Sequence, residues 1–182
     1  MSTIQNGTYT IDPAHSNVEF AVKHMMITTV KGRFADMKGA VDIPEQGQPT
    51  INVTIAAPSI DTRNDMRDTH LRSADFFDVE KYPELRFVST KATRTSDGYK
   101  LTGDLTIKGI TKPITLDVTE EGAGVDPWGN QKAAFSATGK FNRSEFGLTW
   151  NAALETGGVL VSEEVKISID AQLVKQKVAQ AA

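Results

Sequence analysis

In segment after segment of this sequence, apolar and polar residues alternate one for one. "TINVTIAA" (50–57) sets Ile51, Val53 and Ile55 against Asn52 and Thr54, and "GYKLTGDLTI" (98–107) sets Tyr99, Leu101, Leu105 and Ile107 against polar partners. "ITLDV" (114–118), "AFSATGKF" (134–141) and "EVKISIDAQL" (164–173) repeat the pattern. In "IDPAHSNVEFAVKHMM" (11–26), Val18, Phe20, Val22 and His24 share one face while Glu19, Ala21 and Lys23 share the other. A period of two is that of a strand with one dry and one wet face, which antiparallel sheets provide. Turn signals separate the runs: Ser96-Asp97-Gly98, Lys108-Gly109 and the loop "GAGVDPWGN" (122–130). About eight to ten strands at this spacing predict a sandwich or an up-and-down barrel. The 182 residues suit a single domain with a real core.

One segment breaks the rhythm. "DTRNDMRDTHLRSADFF" (61–77) places Met66, His70, Ser73 and Phe77 at helical spacing, with Asp61 or Asn64 as cap and Pro83 barring continuation. This predicts a short helix across one end of the sheet, with His70 facing the interior. Arg63 and Arg67, one turn apart, would share a helix face and grip a phosphate or carbonyl; the alternative is an exposed ion-pair network with neighbouring aspartates. A second turn or short helix is expected at "SEFGLTW" (144–150).

A weaker pattern recurs inside the strands. "VKGRF", "MKGAV", "LTGDL" and "ATGKF" put Gly32, Gly39, Gly103 and Gly139 on the apolar face, where a core side chain belongs. Glycine there costs roughly 0.5–1 kcal/mol relative to alanine. Either these glycines relieve the bends of a curved barrel, or they leave room for something other than side chains.

Composition removes several function classes. There is no cysteine, which excludes disulfides, a thiol nucleophile and Cys-ligated metal centres. A net charge of −3 with both signs interspersed gives no electrostatic reason to expect nucleic acid or an anionic membrane surface as partner. No apolar run approaches the roughly 20 residues of a membrane-crossing helix. "MSTIQNGTYT" carries no signal-peptide pattern, so the chain as it stands is expected in the cytoplasm, or in the periplasm if it begins after a removed signal. His15, His24 and His70 match no ligand motif, and the chain holds no G-x-S-x-G elbow and no phosphate-binding glycine loop. A set such as Ser16, His70 and Asp12 can be written on paper, as it can for most chains.

The segments "IDPAHSNVEFAVKHMMITTVKGRF", "DTRNDMRDTHLRSADFFDVEKYPELRF", "LTGDLTIKGITKPITLDV" and "FGLTWNAALETGGVLVSEEVKISID" resemble, in order, the signature segments of the YceI-like, polyisoprenoid-binding family over about residues 7–175. Tyr9 stands where relatives often have tryptophan. The resemblance implies a mainly β fold: an extended, eight-stranded antiparallel lipocalin-like β-barrel with one or two short helices, forming one domain across residues 1–182. It implies a tunnel that holds a long isoprenoid or other amphiphilic lipid, such as an isoprenoid quinone or a polyprenyl phosphate, and no settled enzymatic activity. The lipid tail is expected along Phe20, Val22, Phe34, Met37, Val41, Leu101, Leu105, Leu116, Phe135, Phe141, Ile167 and Ile169. Gly103 and Gly139 are expected to open space for it, His24 to line the tunnel or its mouth and bond a ligand head group or a neighbouring backbone, Arg63 and Arg67 to contact the ligand, and His70 to be a polar lining residue. No metal, no cofactor beyond the lipid, no nucleic acid and no stable membrane insertion are expected; relatives are often dimers, which makes a homodimer an expectation too. Two other classes stay open at this point: a metal- or histidine-dependent hydrolase, and a self-filled barrel acting as a stress or interaction protein.

Overall fold

In the computed structural model, which describes residues 4–177, eleven strands form one antiparallel sheet that closes on itself. They are β1 (Gly7–Ile11), β2 (Asn17–His24), β3 (Thr28–Phe34), β4 (Met37–Ile43), β5 (Thr50–Ala56), β6 (Ile60–Asp61), β7 (Glu84–Arg94), β8 (Gly98–Ile107), β9 (Ile110–Val125), β10 (Gln131–Asn142) and β11 (Glu164–Lys175). The barrel has eight staves, because three are bent strands counted twice. β1 and β2 follow each other along one edge of β11, with Ile11 opposite Leu173 and Asn17 opposite Asp170. β4 pairs with β1 as β3 pairs with β2, and β5 pairs with β4 as β6 pairs with β3. The meander β5-β7-β8-β9-β10-β11 completes the circle, and the β1–β11 pairing closes it. Closure pairs each stave on both sides over part of its length, while residues 28–32 of β3 bond only to β2 and β6 only to β3.

The bend between β1 and β2 is a 3-10 turn, Pro13–His15, that Asp12 caps through the Ala14 N–H. Asp12 Oδ2 also accepts from Lys132 Nζ at 3.0 Å and Gln172 Nε2 at 3.1 Å, and lies 3.0 Å from His15 Nδ1. The Lys132 bond leads the effects that hold its carboxyl down at about 2. One side chain thus ties the kinked stave to β10 and β11.

The helix is shorter than its sequence pattern. α1 spans Asp65–Arg72, capped by the Asn64 side chain on the Arg67 N–H and closed at Ser73, whose N–H and hydroxyl both donate to the His70 carbonyl. Arg63 therefore lies ahead of the cap with a left-handed φ of 59°, and it shares no helix face with Arg67. Segment 144–150 begins in a 3-10 turn, Arg143–Phe146, ended by Gly147 at φ 73°. At the loop predicted for 122–130, β9 runs on to Val125 and β10 starts at Gln131. Asp126 accepts from the Trp128 and Asn130 N–H groups and so closes a tight turn.

The inward faces are those the alternation marks, and most of them join one core cluster that includes Val18, Phe34, Leu85, Phe87, Leu101, Leu105 and Leu116. The glycines correct the expectation of open space. A Cβ on Gly103 would lie 2.3 Å from the Phe87 ring and 2.7 Å from the Val88 carbonyl oxygen. On Gly139 it would meet Leu116 at 2.6 Å, on Gly32 the Phe20 ring at 2.4 Å, and on Gly39 the Asn52 carbonyl oxygen at 2.6 Å. At each position a neighbouring strand already fills the place of the missing side chain.

Candidate functional site

A cavity of about 980 Å³ runs along the barrel interior. Its apolar wall includes Phe20, Val22, Phe34, Met37, Val41, Leu101, Leu105, Leu116, Phe135, Phe141, Ile167 and Ile169. His24, Arg67 and His70 also face it. Arg63, Gly103 and Gly139 do not form its wall. For Arg63 the reason is its left-handed backbone ahead of the helix, where its N–H donates to Asp61 Oδ1. For the two glycines the reason is the side chain that covers each of them.

Polar groups gather where the barrel ends. At the helix end, Arg67 is held rather than free: Nε donates to Thr62 Oγ1 at 2.8 Å and Nη2 to the Thr62 carbonyl at 2.9 Å. The buried Asp68 carboxylate accepts in turn from the Thr62 N–H and hydroxyl. This chain of bonds fixes the guanidinium at the cavity wall. His70 packs edge-on against Phe76 and Trp150, with centroids 5.1 and 4.8 Å away, and its Nε2 lies 2.9 Å from Asp75 Oδ2. Met66 borders the cavity while 85% exposed, so the cavity reaches solvent beside α1.

The same end holds a residue that the sequence reading passed over. Arg143 is 3% exposed, and its guanidinium donates to the carbonyls of Ser162, Leu148, Trp150 and Val161. Burial pushes its pKa below the ordinary arginine value, opposed by Glu163. These bonds strap segment 147–163 over the barrel end and so hold Trp150 against His70. No local pattern marks Arg143, because its partners lie up to twenty residues away.

At the opposite end, Arg94 and Glu120 form an ion pair on the cavity wall, and the Arg94 guanidinium sits 4.8 Å from the Tyr99 ring centre. Alternation carries part of this signal: Leu101–Tyr99 on β8 and Leu116–Val118–Glu120 on β9 keep inward parity, and Ala92–Arg94 does so beyond the bulge at Ser89 and Lys91. Gln48 lies at this end also, its side-chain oxygen accepting from the Ala92 N–H.

Ser16, Asp12 and His70 are not brought together. Ser16 exchanges bonds with Gln172, Asp12 with Lys132, Gln172 and His15, and His70 with Asp75. Among the described residues no group of three or more His, Asp or Glu side chains is placed to hold a metal ion.

Comparison with known proteins agrees with the geometry. A family model described as a YceI-like domain matches residues 9–173. A UPF0312 protein of Staphylococcus aureus strain USA300 is 42% identical over 167 residues, 90% of this chain and 95% of that protein. Among solved structures, a Campylobacter jejuni YCEI protein superposes with a TM-score of 0.73 at 32% identity, covering 97% of this chain and 100% of that one. BcnA of Burkholderia cenocepacia gives 0.77 at 27% identity, covering 89% and 98%. A polyisoprenoid-binding domain from Saccharophagus degradans gives 0.70 at 12% identity over 94% and 100%, a likeness of fold.

Proposed function

The chain belongs to the YceI-like family, and from that premise we propose that its barrel binds a long-chain isoprenoid lipid, such as an isoprenoid quinone or a polyprenyl phosphate, without catalysing a reaction on it. The observation that carries this reading is the 980 Å³ cavity with an apolar shaft and polar ends. At roughly 30 Å³ per water-sized group, that volume accommodates a few tens of heavy atoms in a row, on the order of six isoprenoid units. The fold neighbour from Saccharophagus degradans described as polyisoprenoid-binding supports the same ligand class.

Affinity comes from the tail. Each buried methylene contributes roughly 0.8 kcal/mol, so about ten supply some 8 kcal/mol before the cost of association. One charge-assisted hydrogen bond adds about 1.5–3 kcal/mol. Arg67, fixed by Thr62 and Asp68, is the residue we assign to the head group, with His70 and His24 beside it; Arg63 is withdrawn from that role. This division of labour fits a carrier: the tail is held by area and the head by orientation.

The test is native mass spectrometry of the purified protein, solvent extraction, and uptake of added ubiquinone or polyprenyl phosphate by the delipidated chain. One lipid per barrel is expected. A protein that carries no lipid and takes up neither compound would refute the proposal.

A further inference from the structure

We infer that the tip of the β2–β3 hairpin is a docking surface for an anionic phospholipid bilayer, and that it sets the cavity mouth against the leaflet. The inference rests on the isoprenoid reading, since a ligand of that class is dissolved in bilayers and must leave one to enter the barrel.

The first observation is the turn itself. His24 faces Thr28 across the ladder and the Ile27 N–H returns to the His24 carbonyl, so Met25 and Met26 are the two central residues. Both have left-handed backbones, φ 53° and 59°. Ile27 completes a three-residue loop between the paired His24 and Thr28, and a turn with positive φ at both central positions selects Asn-Gly, because other side chains are strained there. Here the strained positions carry two methionines. Strain that persists at a site where an easier sequence exists points to a use for the side chains.

The second observation is exposure. Met25, Met26 and Ile27 are 40%, 64% and 75% exposed, three consecutive apolar residues at a tip. They continue the wall of the cavity outward. His24 and Val30, on either side of the tip, line the cavity, as does Leu160, whose carbonyl accepts the Met25 N–H at 2.8 Å. Met66, across the opening on α1, is both wall and rim.

The third observation is charge, and it chooses the occupant. The chain carries a net −3, yet between Glu19 and Asp36 there is no carboxylate, while Lys23, Lys31 and Arg33 fall within that span. Arg33 is engaged by Asp61; Lys23 and Lys31 are exposed on the outer face of the hairpin, behind the apolar tip. Apolar residues at the front with long cationic side chains behind them match a leaflet, where the tip enters the acyl boundary and the ammonium groups reach anionic head groups.

The test uses the whole chain with phosphatidylcholine vesicles, with and without phosphatidylglycerol, in a co-sedimentation assay. Wild type should sediment with the vesicles, more strongly when they contain phosphatidylglycerol, and Lys23→Gln/Lys31→Gln should remove that added component. Met25→Asn/Met26→Gly installs the sequence the turn prefers, so thermal stability should hold or rise while vesicle binding falls about tenfold or more. Uptake of an isoprenoid supplied from cyclodextrin should be unchanged in that variant, which separates docking from cavity binding. If wild type takes up isoprenoid from cyclodextrin yet ignores both vesicles, or if the turn variant binds vesicles as wild type does, the docking inference is overturned and the cavity reading stands. A tip that instead joins two copies of the chain would show as a dimer converted to monomer by the turn variant, with no vesicle binding, and this also overturns it. If no isoprenoid is taken up from any source, the cavity reading fails independently.

Discussion

Gly103→Ala tests whether the inward glycines are packing positions or tunnel wall. An added Cβ would stand 2.3 and 2.6 Å from two Phe87 ring atoms and 2.7 Å from the Val88 carbonyl oxygen. The ring can turn away, but the carbonyl belongs to the β7 backbone, beside the irregular register at Ser89 and Lys91, and moves only with the strand. Overpacking of this kind costs about 1–3 kcal/mol. In a chain of this size each kcal/mol moves Tm by about 2–4 °C, so the delipidated variant should melt some 3–10 °C below wild type. A double-mutant cycle with Phe87→Leu locates the clash. Phe87→Leu alone destabilises by leaving space, whereas in the Gly103→Ala background that space receives the new methyl. The coupling should be favourable by about 1 kcal/mol, short of full rescue because the Val88 carbonyl remains. Thermal or urea melts of the four delipidated proteins supply every value. If Gly103→Ala melts at or above wild type and the bound chain merely shortens, then Gly103 faces lumen and this packing argument is wrong.

Two further outcomes follow from polar groups with several partners each. Asp12 has a folded pKa of about 2 against an ordinary 3.8, so its contribution is complete above about pH 4 and is lost as pH falls through about 2. A depression of this size is worth about 2 kcal/mol at most; Asp12→Asn should therefore lose about 1–2 kcal/mol at pH 7 and flatten the stability curve between pH 4 and 2, as urea titrations across that range will show. A variant whose stability falls as steeply as wild type over that window would exclude Asp12 as the acid-sensitive group. Arg143→Met leaves the carbonyls of Leu148, Trp150, Val161 and Ser162 without their donor, which should cost about 3 kcal/mol or more. Amide exchange should quicken first across 147–163; uniform acceleration over all staves would refute the strap.

Much of this molecule is legible in its alternation, because a strand side chain's face depends only on parity. That is why Phe20, Leu101, Leu116, Phe135 and Ile167 can be placed on the cavity wall without coordinates, and why β8 begins and ends where its pattern does. Parity reaches further than the charge of a residue suggests: Glu120 obeys it on β9, and Arg94 does so beyond the bulge at Ser89 and Lys91, although their charge alone argues for the outer face. What parity cannot supply is anything fixed between elements. Arg63 and Arg67 look like neighbours on a helix until the Asn64 cap fixes where the helix begins. Arg143 looks like a surface arginine until segment 147–163 folds back and offers it carbonyls. Met25 and Met26 look like ordinary turn residues until the register of β2 on β3 puts both in the left-handed region.

The glycines show where parity and packing meet. Alternation puts Gly32 and Gly103 on the inner face, which by itself suggests a gap in the wall. The gap is filled, by Phe20 at one and Phe87 at the other, and each ring comes from the adjoining stave. An aromatic side chain set over a glycine next door lies against the wall, where a full-length neighbour would push it across the lumen. An eight-stranded barrel is about wide enough either to fill itself or to hold one small ligand, so the direction taken by a few large rings decides between the two. By seating Phe20 and Phe87 against the staves, Gly32 and Gly103 thicken the wall and keep the shaft clear. The cavity therefore depends on these glycines without being bounded by them, and a side chain added at either one would act on the lumen only through the ring it displaces.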